Sequence, residues 1–276
     1  MIGPIMAMTL RWRGGAGPAV DGATLRPDLL RGRGAAEVAR MPLRAGNAAS
    51  TVGEHFDVAG DLGDDHLVVQ GDLRAVDGLA RGLAGGRLTI VGTAGDDLAS
   101  GMTGGAVEVR GDAGDRAGAE MRGGSLTING RAGDDLGAAL PGSRLGMRDG
   151  VILVGGDAGR DVGLSMRRGL IAVAGSVGPG AGRAMVAGSV FAFGEVGRHA
   201  GAGMKRGTVA ALGPPPTVLA TFADAGRSRP PFLALYLRWL IGRGFPVPPG
   251  AVDAATRRYN GDAANGGLGE IFTVDA

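Results

Sequence analysis

The chain has 276 residues and a mass of 27.5 kDa, with 56 glycines, 4% aromatic residues, no cysteine and a formal net charge of +2. Without cysteine it has no disulfide, no thiolate zinc site and no cysteine-ligated iron–sulfur cluster. A hydrophobic share of 44% excludes intrinsic disorder, and glycine that does not recur at every third residue excludes collagen.

Residues 1–60 are predicted to form an N-terminal cap segment. The first ten residues carry neither a basic region nor a long apolar stretch, so no signal peptide is expected, and the start codon is left open between Met1, Met6 and Met8. Pro27 and Asp28 open a short apolar pattern that predicts one helix over residues 27–40.

Residues 61–213 contain a repeat of 19 residues. Two glycine columns and one methionine column share this spacing, and a seven-residue insertion near residues 141–147 lengthens one repeat to 26 residues. The first glycine column is Gly86, Gly105, Gly124, Gly150, Gly169, Gly188 and Gly207. The methionine column is Met102, Met121, Leu140, Met166, Met185 and Met204, with Met147 closing the long repeat.

Each repeat alternates apolar and polar residues over a few positions, as a strand does. Successive strands are joined by glycine-rich links without helical periodicity, which favours turns. We therefore predict an all-β, right-handed parallel β-helix of about seven coils. One inward column is predicted at Leu88, Val107, Leu126, Ile152, Ile171, Val190 and Val209, and a second at Leu98, Ala117, Leu136, Val162, Ala181 and Ala200.

Residues 214–276 are predicted to form a C-terminal helix and a tail packed on the solenoid. Three consecutive prolines from Pro214 stop the repeats. An apolar helix is predicted over residues 232–241, ended by Gly242 and Gly244. The glycine-rich stretch 259–276 is expected to return along the solenoid.

The sequence shows no catalytic constellation and no metal site. Aspartates recur in the turn after each strand, and we interpret them as Asx-turn residues that cap their own backbone amides. Their spacing lacks the nine-residue period of calcium-binding β-rolls. The histidines His55, His66 and His199 lie far apart, and His199 occupies a turn position.

Two outward surfaces have a composition that favours binding. Stacked repeats would align a basic stripe, suited to a carboxylate-rich chain or an acidic partner surface, at Arg122, Arg148, Arg167, Arg168, Lys205 and Arg206. The outward strand face turns apolar in the later repeats, and we expect the C-terminal helix or a partner to cover Leu153, Phe191, Phe193 and Leu212.

No apolar run reaches the length of a membrane span, and a net charge of +2 is nearly neutral despite a pI of 9.6. We therefore expect a cytoplasmic protein that binds neither membrane nor nucleic acid.

The repeats, such as GGAVEVRGDAG at residues 104–114, resemble the GXGXG β-helix of the glutamate-synthase C-terminal type. From about Met8 to its end, the chain resembles the C-subunit family of formylmethanofuran dehydrogenase, nearest its bacterial, methylotroph branch, which occurs in a formyltransferase/hydrolase complex. The motifs that carry this resemblance are LRPD at 25–28, FDVAGD at 56–61, RYNGD at 258–262 and GLGEI at 267–271.

The resemblance implies a scaffold subunit without catalytic residues or a bound cofactor of its own. In such a complex a formyl group passes from formyl-tetrahydromethanopterin to a methanofuran-type carrier and is hydrolysed to formate, during formaldehyde oxidation in one-carbon metabolism. The implied partners are an amidohydrolase-like hydrolase, a formyltransferase and a further subunit. The carrier of methylotrophs has a polyglutamate tail, which the basic stripe is hypothesised to bind.

Three alternatives stay open at this point. The chain could be the structural subunit of a formylmethanofuran dehydrogenase, or a free-standing β-helix that binds calcium or carbohydrate. It could also be the structural end of an ammonia-channelling synthase, although the cysteines of such a synthase are absent here.

Overall fold

A computed structural model describes residues 7–15 and 17–274, so the candidate starts Met1 and Met6 lie outside the described residues. The helices are α1 (Pro27–Leu30), α2 (Ala35–Ala39), α3 (Val52–His55) and α4 (Pro231–Gly242), and one 3-10 turn spans Ala263–Asn265. The strands are β1 (Met8–Trp12), β2 (Val20–Asp21), β3 (Pro42–Ala45), β4 (Ala48–Thr51), β5 (Phe56–Ala59), β6 (His66–Gln70), β7 (Val76–Asp77), β8 (Arg87–Val91), β9 (Ala106–Val109), β10 (Arg122–Ile128), β11 (Asp149–Val154), β12 (Leu170–Val173), β13 (Ser189–Ala192), β14 (Arg206–Ala211), β15 (Ala223–Ser228), β16 (Thr256–Gly261) and β17 (Leu268–Val274).

Most of these strands belong to one sheet. Within the described residues it has 13 strands in the order β15-β16-β17-β14-β13-β12-β11-β10-β9-β8-β6-β1-β5. From β1 to β17 the neighbours pair in parallel, and the pairs at the two ends of the sheet are antiparallel. The expectation of a β-rich repeat protein is confirmed.

A second ladder runs beside this sheet. Single parallel bridges join one residue of each repeat to its equivalent in the next, along Leu73, Ala94, Ala113, Ala132, Ala158, Val177 and Val196. Each repeat therefore contributes one strand to the sheet and one bridge to the second ladder, and the result is a solenoid-like fold.

The first glycine column has a backbone reason. All seven of its members have positive φ, between 81° at Gly105 and 104° at Gly188. A Cβ atom at Gly105 would also lie 2.7 Å from the carbonyl oxygen of Gly86 in the preceding repeat. Residues with a side chain rarely adopt this conformation, so these seven positions require glycine.

The core lies between the ladders and consists of stacked apolar columns. The two inward columns predicted from the sequence are buried along their whole length, and the first is paired in register from Leu88 to Val209. The structure extends that column to Leu67 on one side and Ile271 on the other.

The methionine column differs from the prediction at one position. Leu140 is partly exposed, whereas Met147 is fully buried. The backbone carbonyl of Met147 accepts a hydrogen bond from the Arg167 amide. The carbonyl of Met121 accepts the equivalent hydrogen bond from the Arg148 amide, so Met147 and Met121 occupy equivalent positions. The insertion projects from the long repeat and delays the inward position by seven residues, so Met147 replaces Leu140 in the column.

The N-terminal prediction of a single helix over residues 27–40 is wrong. Two short helices, α1 and α2, lie there, and the chain between them passes through Gly32, whose φ of 77° lies outside the helical region. A four-stranded sheet in the order β4-β3-β2-β7 accompanies them.

The apolar helix predicted over residues 232–241 is confirmed as α4, which ends at Gly242. Among the described residues no helix is long and apolar enough to cross a membrane. The expected return of the tail along the solenoid is wrong, because β17 pairs in parallel with β14 and extends the sheet by one strand. Strand β16 and then β15 continue that sheet in antiparallel pairing.

The repeated aspartates stabilise the contact between successive repeats. The Asp96 Oδ1 accepts the backbone amide of Asp115 at 2.9 Å, and the Asp115 Oδ1 accepts that of Asp134 at 2.8 Å. The expectation that they cap their own turns is therefore wrong. Strand spacing explains this difference, since neighbouring rungs are only about 4.8 Å apart and bring the next repeat's amide within reach.

Arginines neutralise several of these carboxylates. The Arg116 guanidinium donates to Asp97 at 2.8 Å and to Asp96 at 3.0 Å, and Arg183 pairs with Asp161 at 2.7 Å. The hydrogen bond to Asp97 is the main cause that raises the pKa of Arg116 above its usual value. The aspartate turns thus belong to the hydrogen-bonded frame of the solenoid.

This arrangement makes a specific prediction for Asp115. Replacing Asp115 by Ala removes the acceptor of the Asp134 amide, and we expect a loss of about 1 kcal/mol in the free energy of unfolding. Asp115→Asn keeps an acceptor oxygen and should lose less. Urea unfolding of the two variants measures the difference, and equal losses would contradict the assigned hydrogen bond.

Candidate binding surface

The basic stripe predicted from the sequence is assembled by the repeat register. The amides of Arg122, Arg148, Arg167, Val186 and Lys205 each donate to the carbonyl of a methionine in the preceding repeat, at 2.7–2.8 Å. These residues therefore stand above one another along the solenoid. Arg168 and Arg206 follow directly in the chain and occupy the neighbouring column.

The members of the stripe differ in exposure and in whether an acidic side chain lies near them. The Arg148 guanidinium lies 3.8 Å from the Glu120 carboxylate, and 36% of its side chain is exposed. The other five members are exposed, and no ion pair holds them within the part of the chain that the structure describes: Arg122, Arg167, Arg168, Lys205 and Arg206. Their positive charges are available to an external anion.

Four of these cations line a groove of about 520 Å³, together with exposed Leu268 and the small residues between them. The cations of this basic groove are Arg167, Arg168, Lys205 and Arg206.

The predicted apolar face lies on the outward side of the later strands. Helix α4 packs on this face through Leu233, Leu237 and Leu240. The four predicted residues have at most 9% of their surface exposed: Leu153, Phe191, Phe193 and Leu212. Within this chain, they are covered by α4 and by the segment that follows it, where Phe245 lies against Phe193 with ring centroids 5.8 Å apart.

A second groove, of about 660 Å³, lies between α4 and the strand edges, and we call it the α4 groove. One wall is formed by Phe232, Leu235, Tyr236 and Trp239 of α4, and the opposite wall includes Arg168 and Asp149. Arg168 and Gly188 line both grooves, so the α4 groove and the basic groove adjoin each other at these two residues.

The wall that α4 contributes to this groove is not among the surfaces predicted from the sequence, where the helix is expected only to cover the sheet. Arg238 is the sole charged residue of α4. A helix with apolar residues on more than one face is normally buried on more than one side. The near absence of charge in α4 therefore indicates, from the sequence alone, a second contact surface on the helix.

The histidines do not converge. His55 stacks on Trp12 with ring centroids 5.8 Å apart, His66 lies 2.9 Å from the Thr89 hydroxyl, and His199 is exposed at a left-handed turn position. The described residues contain no group of three His, Cys, Asp or Glu side chains placed to hold a metal ion.

The fold and the two adjoining grooves define a β-rich repeat protein with a broad surface suited to binding. No family model matches the sequence, and no curated protein matches it. Among solved structures, the chain is similar to a chain of the crystal structure of the formyltransferase/hydrolase complex from Methylorubrum extorquens in complex with methylofuran. The two share 33% sequence identity with a TM-score of 0.89, over 97% of this chain and 100% of that chain. The chain therefore belongs to the family of this component of the formyltransferase/hydrolase complex.

The environment of His66 predicts a pH dependence. Burial lowers the pKa of His66 below 6.5, and the positive charge of Arg87 adds to this. The unfolded chain then binds the proton more readily, so stability should decrease as the pH falls below about 6.5. Nuclear magnetic resonance titration should give a His66 pKa below 6.5, and His66→Gln should remove this share of the acid destabilisation. A His66 pKa at or above 6.5 would contradict the prediction.

Proposed function

We propose that the chain is the C-type member of a formyltransferase/hydrolase complex and acts there as a non-catalytic scaffold. The complex would move a formyl group from formyl-tetrahydromethanopterin to a methanofuran-type carrier and hydrolyse it to formate. The observation that carries this proposal is the similarity to one chain of such a complex over nearly the entire length of both.

The architecture suits a scaffold. We propose that the solenoid is a right-handed parallel β-helix of the GXGXG type over residues 61–213, with residues 1–60 as its cap and residues 214–276 as helix and tail. Ten strands stack in parallel from β1 to β17, and nine steps of about 4.8 Å give a continuous body about 43 Å long. Such a body holds partners at fixed separations because every rung is hydrogen-bonded to the next.

The chemistry of the reaction is assigned to other subunits. The histidines lie apart, and the repeated aspartates are engaged with backbone amides and arginines of their neighbours. We propose that transfer and hydrolysis occur on a formyltransferase and an amidohydrolase-like hydrolase, and that a further subunit belongs to the assembly. The carrier and tetrahydromethanopterin would then act at those partners, and a cytoplasmic location stays a prediction.

The basic stripe is proposed to meet negative charge, either the polyglutamate tail of the carrier or an acidic partner surface. Its support is the row of exposed cations described above.

The scaffold proposal is tested by purifying a tagged copy from the source cells under mild conditions, measuring its native mass and identifying the chains that accompany it. We expect stoichiometric recovery with a formyltransferase and an amidohydrolase-like chain. A clean monomer near 27.5 kDa would contradict the proposal.

The stripe is tested in the same assembly by reversing the charge of Arg122 and Arg167. Carrier-dependent turnover should fall with the double variant, and more steeply at low ionic strength, where charges are less screened. The matched control reverses Arg44, an exposed cation of β3 outside the stripe. Unchanged turnover together with unchanged recovery of the partner subunits would remove the stripe hypothesis.

A further inference from the structure

Helix α4 presents a second apolar surface after it has covered the sheet. Its side chains Leu233 and Leu237 are buried against the strands, whereas Leu235 is 65% exposed and Ile241 is 50% exposed. Isolated exposed leucines are common, but here Leu235 continues an apolar wall with Phe232, Tyr236 and Trp239 along the α4 groove. A contiguous exposed patch of this kind marks an interaction surface.

The wall is held in place before any partner arrives. The Arg243 guanidinium lies 4.0 Å from the centroid of the Trp239 ring, and the Tyr236 ring contacts that of Phe191 with centroids 5.4 Å apart. Side chains fixed in this way lose little conformational entropy on binding.

The positive charge where the α4 groove meets the basic groove favours a ligand that carries carboxylates. Arg168 stands where the α4 groove meets the basic groove, and Arg167, Lys205 and Arg206 continue the positive charge. Among the residues that line the two grooves, Asp149 is the one acid. Net positive charge without internal ion pairs is complementary to carboxylates.

The register sets the spacing of those carboxylates. Arg167 and Lys205 are two rungs apart, with Val186 between them, which corresponds to about 9.6 Å. A polyproline II segment has three residues per turn and rises about 3.1 Å per residue, so side chains three positions apart lie on one face about 9.3 Å from each other. A segment in this conformation with acidic residues three positions apart therefore matches both cations.

A protein segment satisfies both parts of the surface. A polyglutamate tail would neutralise the cations and leave the apolar wall and Leu268, which is 61% exposed, in water. A polypeptide can supply carboxylates to the stripe and apolar side chains to α4 at the same time. The combination of the two grooves thus favours a protein over a polyanion alone.

We propose that the α4 groove and the basic groove together bind an acidic segment of a partner subunit, anchored by apolar side chains against Leu235 and Trp239. This inference rests on the proposed function, because the partner is taken to be another subunit of the same complex. Of the two anions proposed for the basic stripe, this inference selects the acidic partner surface over the polyglutamate tail.

The test is hydrogen exchange on the assembled complex purified through a tag on this chain, compared with the isolated chain. We expect slower exchange in residues 231–243 and 167–206 in the complex. The double variant Leu235→Glu and Arg168→Glu should lose this protection or release the partner at least tenfold more readily. The control double variant Leu29→Glu and Arg44→Glu changes an exposed leucine and an exposed cation elsewhere and should behave as the wild type.

The outcomes separate this inference from the proposed function. A wild-type complex in which both segments exchange as fast as in the isolated chain overturns the inference and leaves the scaffold role standing. A wild-type chain that recovers no partner overturns both. Protection of both segments by poly-γ-glutamate alone, without a partner protein, overturns the inference in favour of a polyanion site. If the isolated Leu235→Glu and Arg168→Glu variant melts at a lower temperature than the wild type, its loss of partner could reflect lost stability. The comparison of wild-type complex with wild-type isolated chain then tests the inference without the variant.

Discussion

The rest of the structure depends on the hydrogen-bonded register between one repeat and the next. Each strand pairs in parallel with its equivalent one repeat later, and one position of each repeat from Gly86 to Gly207 has a positive φ that glycine supplies. Because the register is fixed, a slip by one residue would turn every inward side chain outward. The insertion at residues 141–147 is tolerated since it projects from the repeat, while β10 and β11 still pair in register from Ser125 and Val151 onward.

The same register creates the candidate binding surface. Residues at one repeat position stack in one column, so a few arginines and one lysine become a continuous row of charge beside a continuous apolar face. Helix α4 covers part of that face and adds its own apolar wall to the groove next to Arg168. The surface thus follows from the repetition of a short unit, with one helix added at the end.

The repeat can be predicted from the sequence, because backbone geometry requires glycine and burial requires apolar residues at equivalent positions of each repeat. Contacts between repeats were harder to predict. Asp115 could be recognised as a turn residue, but only the strand spacing shows that its acceptor oxygen meets the next repeat. That Met147 and not Leu140 fills the methionine column depends on where the insertion leaves the core. The α4 groove depends on how the helix packs on the strands. These features arise from tertiary placement, which periodicity does not encode.

The central claim, that this chain joins the catalytic subunits, is tested most directly by deleting it in the source cells and following the remaining subunits by native mass. We expect the formyltransferase and the hydrolase then to separate, and coupled turnover to be lost although each retains its own active site. An intact assembly of the remaining subunits with coupled turnover at the wild-type rate would contradict it.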